Sequence, residues 1–304
     1  VKTERVGIIG CGIIGASWAL TFARAGYRVK VWQRGEAPVL DRIRRLADNV
    51  AGTGSELSAE AWQRISIETE IARALEGVDY VQESIVENLD QKAEILTAIE
   101  RHVDAATTIA SSTSGILPSA ISRRLRRPAR FLVAHALTPP HLLPVTEICP
   151  APETAPHVIA AAVELLKGAG QSPVVLKREI AGFAANRLLG AVLNELFALV
   201  GEGVLEPLDA DTIFTDGFGL RWSVIGPLAA MDLNAPAGVR DYLARYGSIF
   251  SGVAESRGAT PALIADVIDR IASSLEALSS APAADRAAAR DRAIAQVKAM
   301  RSTL

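Results

Sequence analysis

From about residue 6 to residue 177, short runs of consecutive apolar residues alternate with longer segments in which apolar positions recur every three or four residues. Continuous apolar runs suit strands buried on both faces, and the helical period suits segments that cover such a sheet, so the pattern predicts a parallel sheet flanked by helices. Strands are expected at 6–9, 28–32, 79–83, 107–111, 131–135 and 173–177, and helices near 15–25, 36–50, 58–65, 90–101, 118–123 and 155–169. After REIAGF, at 178–183, the pattern turns to long helical periods with no convincing strand. The expected organisation is therefore a doubly wound α/β domain over residues 1–180 and an all-helical domain over 181–304. The tail APAADRAAARDRAIAQVKAM carries opposite charges four residues apart and reads as a solvated terminal helix.

The first strand runs straight into Gly10, Cys11 and Gly12, and an apolar helix containing Gly15 comes next. A G-x-G-x-x-G turn between a strand and a helix has a mechanical reading at each glycine. Gly10 allows the tight turn, Gly12 lets backbone approach a pyrophosphate, and Gly15 lets helix and strand pack closely. Ile13 and Ile14 open a helix whose free N–H groups and positive dipole end would face the phosphates. With the second strand RVKVW after it, this context predicts a dinucleotide site on a Rossmann-type fold.

Composition narrows the partners. The chain has 304 residues, 49% of them hydrophobic and 22% charged, enough for about two domains at roughly 150 residues each. A formal net charge of −2 and the lack of a Lys/Arg-rich block argue against nucleic-acid or membrane-surface partners, and RRLRRPAR at 123–130 reads as a solvated helix end. Two cysteines, Cys11 and Cys149, cannot build a disulfide framework or a Cys-rich metal site, which suits a reducing, cytoplasmic setting. No signal peptide is expected ahead of the first strand, and no apolar run approaches the roughly 18 residues that span a bilayer. His102, His141 and His157 show no metal-ligand spacing, so no metal is expected.

Four polar residues stand where the apolar pattern breaks. Ser114 lies after strand TTIA in SSTSG, His135 ends FLVAH, Glu147 comes twelve residues later in LLPVTEI, and Asn186 opens the first helix of the second domain. Each alone has an ordinary explanation: a turn serine, a core histidine, a solvated glutamate, a helix cap. Together they supply a hydrogen-bond donor, an imidazole, a carboxylate to orient it and a second donor, the set that reversible carbonyl reduction requires.

These residues, with VQESIVENLDQK, SSTSG and GFAANRLL, resemble the 3-hydroxyacyl-CoA dehydrogenase family from about residue 5 to residue 247. SSTSGILPS, EICPAPETAP, GQSPVVLKREIAGF and IGPLAAMDLNA are most similar to the branch containing lambda-crystallin and L-gulonate 3-dehydrogenase, and SSTSG and GLRW also resemble carnitine dehydrogenases. The resemblance implies NAD as cofactor, His135 as general base, Glu147 as its orienting carboxylate, and Ser114 and Asn186 as donors to the substrate oxygen. It also implies that Glu87 and Lys92 contact the nicotinamide half of the cofactor; by themselves they read as a charged pair at a helix start. The substrate implied is a small 3-hydroxy carboxylic acid, and the assembly a homodimer through the second domain.

Two positions depart from the family pattern. Gln33 and Arg34 stand where an Asp usually accepts hydrogen bonds from the adenosine ribose; losing a carboxylate beside a guanidinium is compatible with NADP. Thr138 in ALTPP replaces an Asn common in relatives. Arg221, beside Trp222 in the helical domain, is a candidate for binding a free carboxylate through paired hydrogen bonds. Two other readings stay open: a dehydrogenase of coenzyme A thioesters, with Arg42, Arg44 and Arg45 facing the coenzyme's phosphates, and a non-catalytic dinucleotide-binding or structural protein.

Overall fold

The computed structural model of the protein describes residues 4–35, 38–53, 57–256, 269, 273 and 281–301. Eight strands occur among the described residues in chain order: β1 (Arg5–Ile9), β2 (Arg28–Trp32), β3 (Ile65–Glu68), β4 (Tyr80–Glu83), β5 (Thr108–Ser111), β6 (Phe131–Ala136), β7 (Val145–Pro150) and β8 (Ser172–Val175), with helices α1 (Ile13–Arg24), α2 (Val39–Asp48), α3 (Ala59–Trp62), α4 (Ile71–Leu75), α5 (Leu89–His102), α6 (Pro118–Ser122) and α7 (Pro156–Gly168) between them. They form one sheet ordered β3-β2-β1-β4-β5-β6-β7-β8, parallel throughout except where β6 meets β7. The order reverses between β1 and β4. Connections leave to opposite sides there, which opens a crevice at the carboxyl ends of the strands.

Strand period two divides the core between the sheet's faces. Ile8, Tyr80, Ala110, Leu132 and Ala134 pack with Trp18 and Phe22 of α1 (Ile13–Arg24). Ile9, Val81, Ile109, Phe131 and Val133 pack on the other side with Leu96 and Ile99 of α5 (Leu89–His102). Each of the Val, Leu, Ile and Phe side chains among them, once buried, contributes about 1.5–3 kcal/mol relative to exposure. The parity also fixes which polar residues share a face: Glu83 lies in register with Ile9 and with Ser111, and Ser111 with Val133, two residues short of His135.

The expected α/β fold is present, with two local differences. The segment expected as a helix over 58–65 divides: α3 is only Ala59–Trp62, and the chain then enters β3. Ile65 and Ile67 alternate with Ser66 and Glu68, and that period suits the edge strand of the sheet. β7 is absent from the expected set because Thr146 and Glu147 interrupt its apolar run; pairing with β6, not local pattern, makes it a strand.

The chain forms two compact units, Val1–Arg187 with Ala284–Met300, and Leu188–Ala283 with Arg301–Leu304. In the second, helices at Pro207–Thr212, Gly219–Trp222, Pro227–Leu233 and Gly238–Ser256 come after α8 (Ala185–Gly201), with a π-helical stretch at Ile213–Phe218 and no strand among the described residues. The terminal helix, Ala283–Arg301, is not merely solvated as expected. Ala295 is fully buried in a cluster with Val50 and Leu142, and Asp291 is buried beside Arg290. Small alanine side chains allow that close approach, which a reading of its charges alone does not reveal. No helix among the described residues is long and apolar enough to cross a membrane.

Candidate active site

The glycine turn is tightly constrained on two sides and open on the third. Gly10 has φ +94°, and a Cβ there would lie 2.7 Å from the Ser84 carbonyl oxygen. A Cβ on Gly15 would lie 1.9 Å from the Gly10 carbonyl oxygen, so strand and helix touch through backbone. Around Gly12 no atom lies within 4 Å of such a Cβ. That is the space a pyrophosphate needs, at the start of a helix with no side-chain cap and no acidic residue in its first turn. Ile13 is exposed there and Ile14 half-buried. Gln33, at the exit of β2, accepts a hydrogen bond from the Cys11 N–H at 2.7 Å and donates to the Arg34 carbonyl at 3.3 Å. Arg42, on α2 (Val39–Asp48), donates to the Cys11 carbonyl. A cavity of about 390 Å³ is bounded by Gly12, Gln33, Arg34, Arg42, Ser84 and Ile85 among others. These residues fit a dinucleotide.

Beside the turn lies a buried ionic network. Glu83, at the end of β4, accepts from the Ser111 hydroxyl at 2.5 Å, the Ile85 N–H at 2.7 Å, and the Lys92 ammonium at 2.9 and 3.1 Å. Burial pushes the Glu83 carboxyl above its ordinary value, against the lowering by Lys92 and these hydrogen bonds. Lys92 is itself fully buried, donates to the Ile85 carbonyl at 3.3 Å, and lies 3.6 Å from Glu87. Glu87 in turn accepts from the Thr113 hydroxyl at 2.5 Å and the backbone N–H groups of Ser114 and Gly115 at 3.0 and 3.1 Å. Burial pushes its carboxyl up, but those bonds and the Lys92 charge hold it below the usual carboxylate value. Glu87 thus fixes the SSTSG loop, and Lys92 fixes Glu83 and the backbone at Ile85.

The third group sits on β6 and β7. His135 and Glu147 are directly opposed in the antiparallel register, and Nδ1 of the imidazole lies 2.9 Å from a Glu147 carboxylate oxygen. The other Glu147 oxygen accepts from the Ala184 and Ala185 N–H groups, at 2.8 and 2.9 Å, where α8 begins. In the neutral imidazole facing a carboxylate, Nδ1 is the donor and Nε2 keeps its lone pair. Phe183, buried and at φ +51°, makes the bend that aims those two N–H groups, and its ring centroid is 5.4 Å from that of His135. Left-handed backbone is unfavourable for a Phe, so burial against the imidazole holds it. Asn186 donates its side-chain amide to the Ser114 carbonyl at 2.7 Å and ties the start of α8 to the SSTSG loop. Ser114, His135, Glu147 and Asn186 are thereby joined by hydrogen bonds inside the first compact unit.

Residues 5–180 match the NAD binding domain of the 3-hydroxyacyl-CoA dehydrogenase family, and residues 182–268 match that family's C-terminal domain. The chain belongs to the 3-hydroxyacyl-CoA dehydrogenase family. It is similar to lambda-crystallin of Oryctolagus cuniculus, with 38% identity over 87% of this chain and 85% of that one. It is 32% identical to an L-carnitine dehydrogenase of Streptomyces griseus, over 80% of this chain and 74% of the other. Among solved structures, that of 5-formyl-3-hydroxy-2-methylpyridine 4-carboxylic acid 5-dehydrogenase, an NAD+-dependent dismutase, superposes with a TM-score of 0.83, 28% identity and 99% coverage of both chains. The protein is an oxidoreductase of this family with a nicotinamide-dinucleotide-binding domain.

Within that family frame, Arg221 is exposed on the helix Gly219–Trp222 of the second unit, where Trp222 stacks on Phe218 with ring centroids 5.2 Å apart. Thr138 is exposed beyond β6. Four residues of the assembly are absent from the expected set: Glu83, Ser111, Thr113 and Phe183. Glu83 had a visible signal, a carboxylate at the end of an apolar strand in VDYVQES. Phe183 had none, because only coordinates reveal a left-handed Phe.

Proposed function

We propose that the protein interconverts a small 3-hydroxy carboxylic acid and its 3-oxo form, with NAD or its 2′-phosphorylated form as cofactor. The observation that carries this reading is the His135–Glu147 pair, anchored by the start of α8 and linked through Asn186 to the Ser114 loop. Nε2 of His135 takes the hydroxyl proton in oxidation and returns it in reduction, while Glu147 fixes the tautomer and stabilises the imidazolium. Ser114 and Asn186 donate to the substrate oxygen as charge develops on it. One amide proton of Asn186 is used on the Ser114 carbonyl, and the second is free for this task. When bound, the nicotinamide supplies the hydride acceptor or donor. Glu87 and Lys92 act on the nicotinamide side through the loops they hold.

A free acid is favoured over a thioester by Arg221, an exposed guanidinium beside an aromatic pair, and by two relatives whose names specify L-carnitine and a pyridine carboxylate. Arg221→Met is expected to raise KM for the acid about tenfold, the lower end of what a charged hydrogen bond of about 1.5–3 kcal/mol gives, because the site is exposed. The methyl ester of the same acid is expected to lose little. Equal losses on acid and ester would assign Arg221 to the fold. The test of the activity itself is an absorbance assay at the reduced-nicotinamide band with gulonate, carnitine, 3-hydroxybutyrate and 3-hydroxybutyryl-CoA, each with both cofactors. Turnover of the thioester alone would replace the free-acid reading, and turnover of none would favour a binding or structural role.

Exposed Leu188 and Leu189 on α8 and Ile249 and Phe250 on the helix Gly238–Ser256 support a homodimer through the helical unit. Both cysteines are buried free thiols, and burial pushes them up to about 11 for Cys11 and about 12 for Cys149, which makes them unreactive; a chain with two free thiols and no disulfide is in keeping with the reducing, cytoplasmic setting we propose.

A further inference from the structure

We propose that Arg34 and Arg42 form a subsite for a phosphomonoester on the adenosine ribose, and that its occupant is the 2′-phosphate of NADP. The inference rests on the glycine turn being the dinucleotide site, and three observations carry it further.

First, Gln33 does not replace the ribose-binding carboxylate that its position suggests. Its carboxamide is turned toward the glycine turn, with the oxygen on the Cys11 N–H and the nitrogen on the Arg34 carbonyl. Among the described residues, no Asp or Glu lines the cavity there to accept from a pair of ribose hydroxyls.

Second, α2 is oriented by Val39, Ile43 and Ala47, which are buried, and this leaves Arg42 on the flank facing the turn. Arg42 is half-buried, and one guanidinium nitrogen is fixed on the Cys11 carbonyl. A guanidinium has five N–H donors, so most of its hydrogen-bonding capacity is still available, held in a fixed plane. The binding cost of ordering a long side chain is therefore largely met before any ligand arrives.

Third, Arg34 and Arg42 line the same cavity as Gly12, and no Asp or Glu lines it among the described residues. Two guanidinium groups at such a lining favour a doubly charged phosphate over a neutral hydroxyl, and guanidinium matches phosphate geometry through paired hydrogen bonds. A carboxylate on a ribose diol has the opposite preference, because it repels the phosphate.

The same phosphomonoester chemistry occurs at the 3′ position of coenzyme A, so the test separates the two sources and does not depend on turnover. Binding of NADPH and NADH to the full chain is measured by nicotinamide fluorescence without substrate, with 2′,5′-ADP and 3′,5′-ADP as competitors. NADPH is expected to bind at least about tenfold more tightly than NADH, and 2′,5′-ADP to compete better than 3′,5′-ADP. Arg34→Met, whose side chain is exposed, and Arg42→Met are each expected to weaken NADPH about tenfold and to spare NADH. Arg42 also braces the turn, so a loss of both cofactors in that variant is judged by Arg34→Met. If Arg34→Met also weakens both equally, or if NADH binds as tightly as NADPH to the unaltered protein, the proposal is overturned. Stronger competition by 3′,5′-ADP would overturn it in favour of coenzyme A. A protein that binds NADPH tightly but turns over no 3-hydroxy acid would retain this subsite and lose only the proposed activity.

Discussion

Replacement of His135 by Gln is expected to lower turnover about 10²–10⁴-fold, the range a positioned proton-transfer group contributes, while dinucleotide affinity stays within about twofold. Gln suits this test because its amide can still donate to Glu147, which otherwise lies buried with one oxygen on two backbone N–H groups and the other unanswered. The variant should therefore fold, and a melting temperature close to that of the unaltered protein checks this. Its pH–rate profile is expected to lose the limb that reports the base. Stopped-flow measurement of the first turnover distinguishes slow chemistry from slow product release. Undiminished turnover in a folded variant would remove His135 from the mechanism.

Lys92→Met is expected to destabilise the first unit by about 3–5 kcal/mol, because it strands a carboxylate in the core without its partner. Glu83 is fully buried, and Lys92 touches both of its oxygens. The dependence on pH identifies the cause. Burial already raises Glu83 above 4.5, and removing Lys92 removes a lowering influence, so the folded variant binds a proton that its unfolded chain has released. Stability is then greatest below 4.5 and falls as pH rises through the raised value. Urea titrations should show a deficit that is largest above the raised value and shrinks as pH is lowered toward 4.5. The double variant Glu83→Gln with Lys92→Met should recover much of the loss, since no buried charge is left alone. A deficit independent of pH, with no recovery in the double variant, would assign the effect to packing of the Lys92 stem.

The residues that declare chemistry in the sequence are those that interrupt an apolar pattern, as His135 does at the end of FLVAH. Their partners are harder to see. Glu147 is twelve residues from His135, but the turn between β6 and β7 and the register that opposes the two are tertiary facts. Thr113 is buried and silent in sequence, although its hydroxyl is one of the bonds that settle Glu87 and hence Ser114. Lys92, read from spacing as one of a charged pair with Glu87 at a helix start, does lie 3.6 Å from that carboxylate, but its ammonium is also in the core against Glu83, nine residues earlier.

By itself the sequence determined the Rossmann-type core of the sheet without β3 and β7, its first glycine turn and the helical character of the second domain, because strand and helix periods and the conformational freedom of glycine are local properties. Only the tertiary structure decided which polar side chains meet. Parity along each strand places Glu83, Ser111, His135 and Glu147 toward one face, but interstrand register, the left-handed bend at Phe183 and the start of α8 bring the last two together with Asn186. The tertiary structure also packed the terminal helix on Val50 and Leu142 and turned Gln33 inward, leaving Arg34 and Arg42 at the cavity. Such arrangements depend on distances between segments far apart in the chain, which no window of residues encodes, and on the competition of many weak contacts for the same buried space.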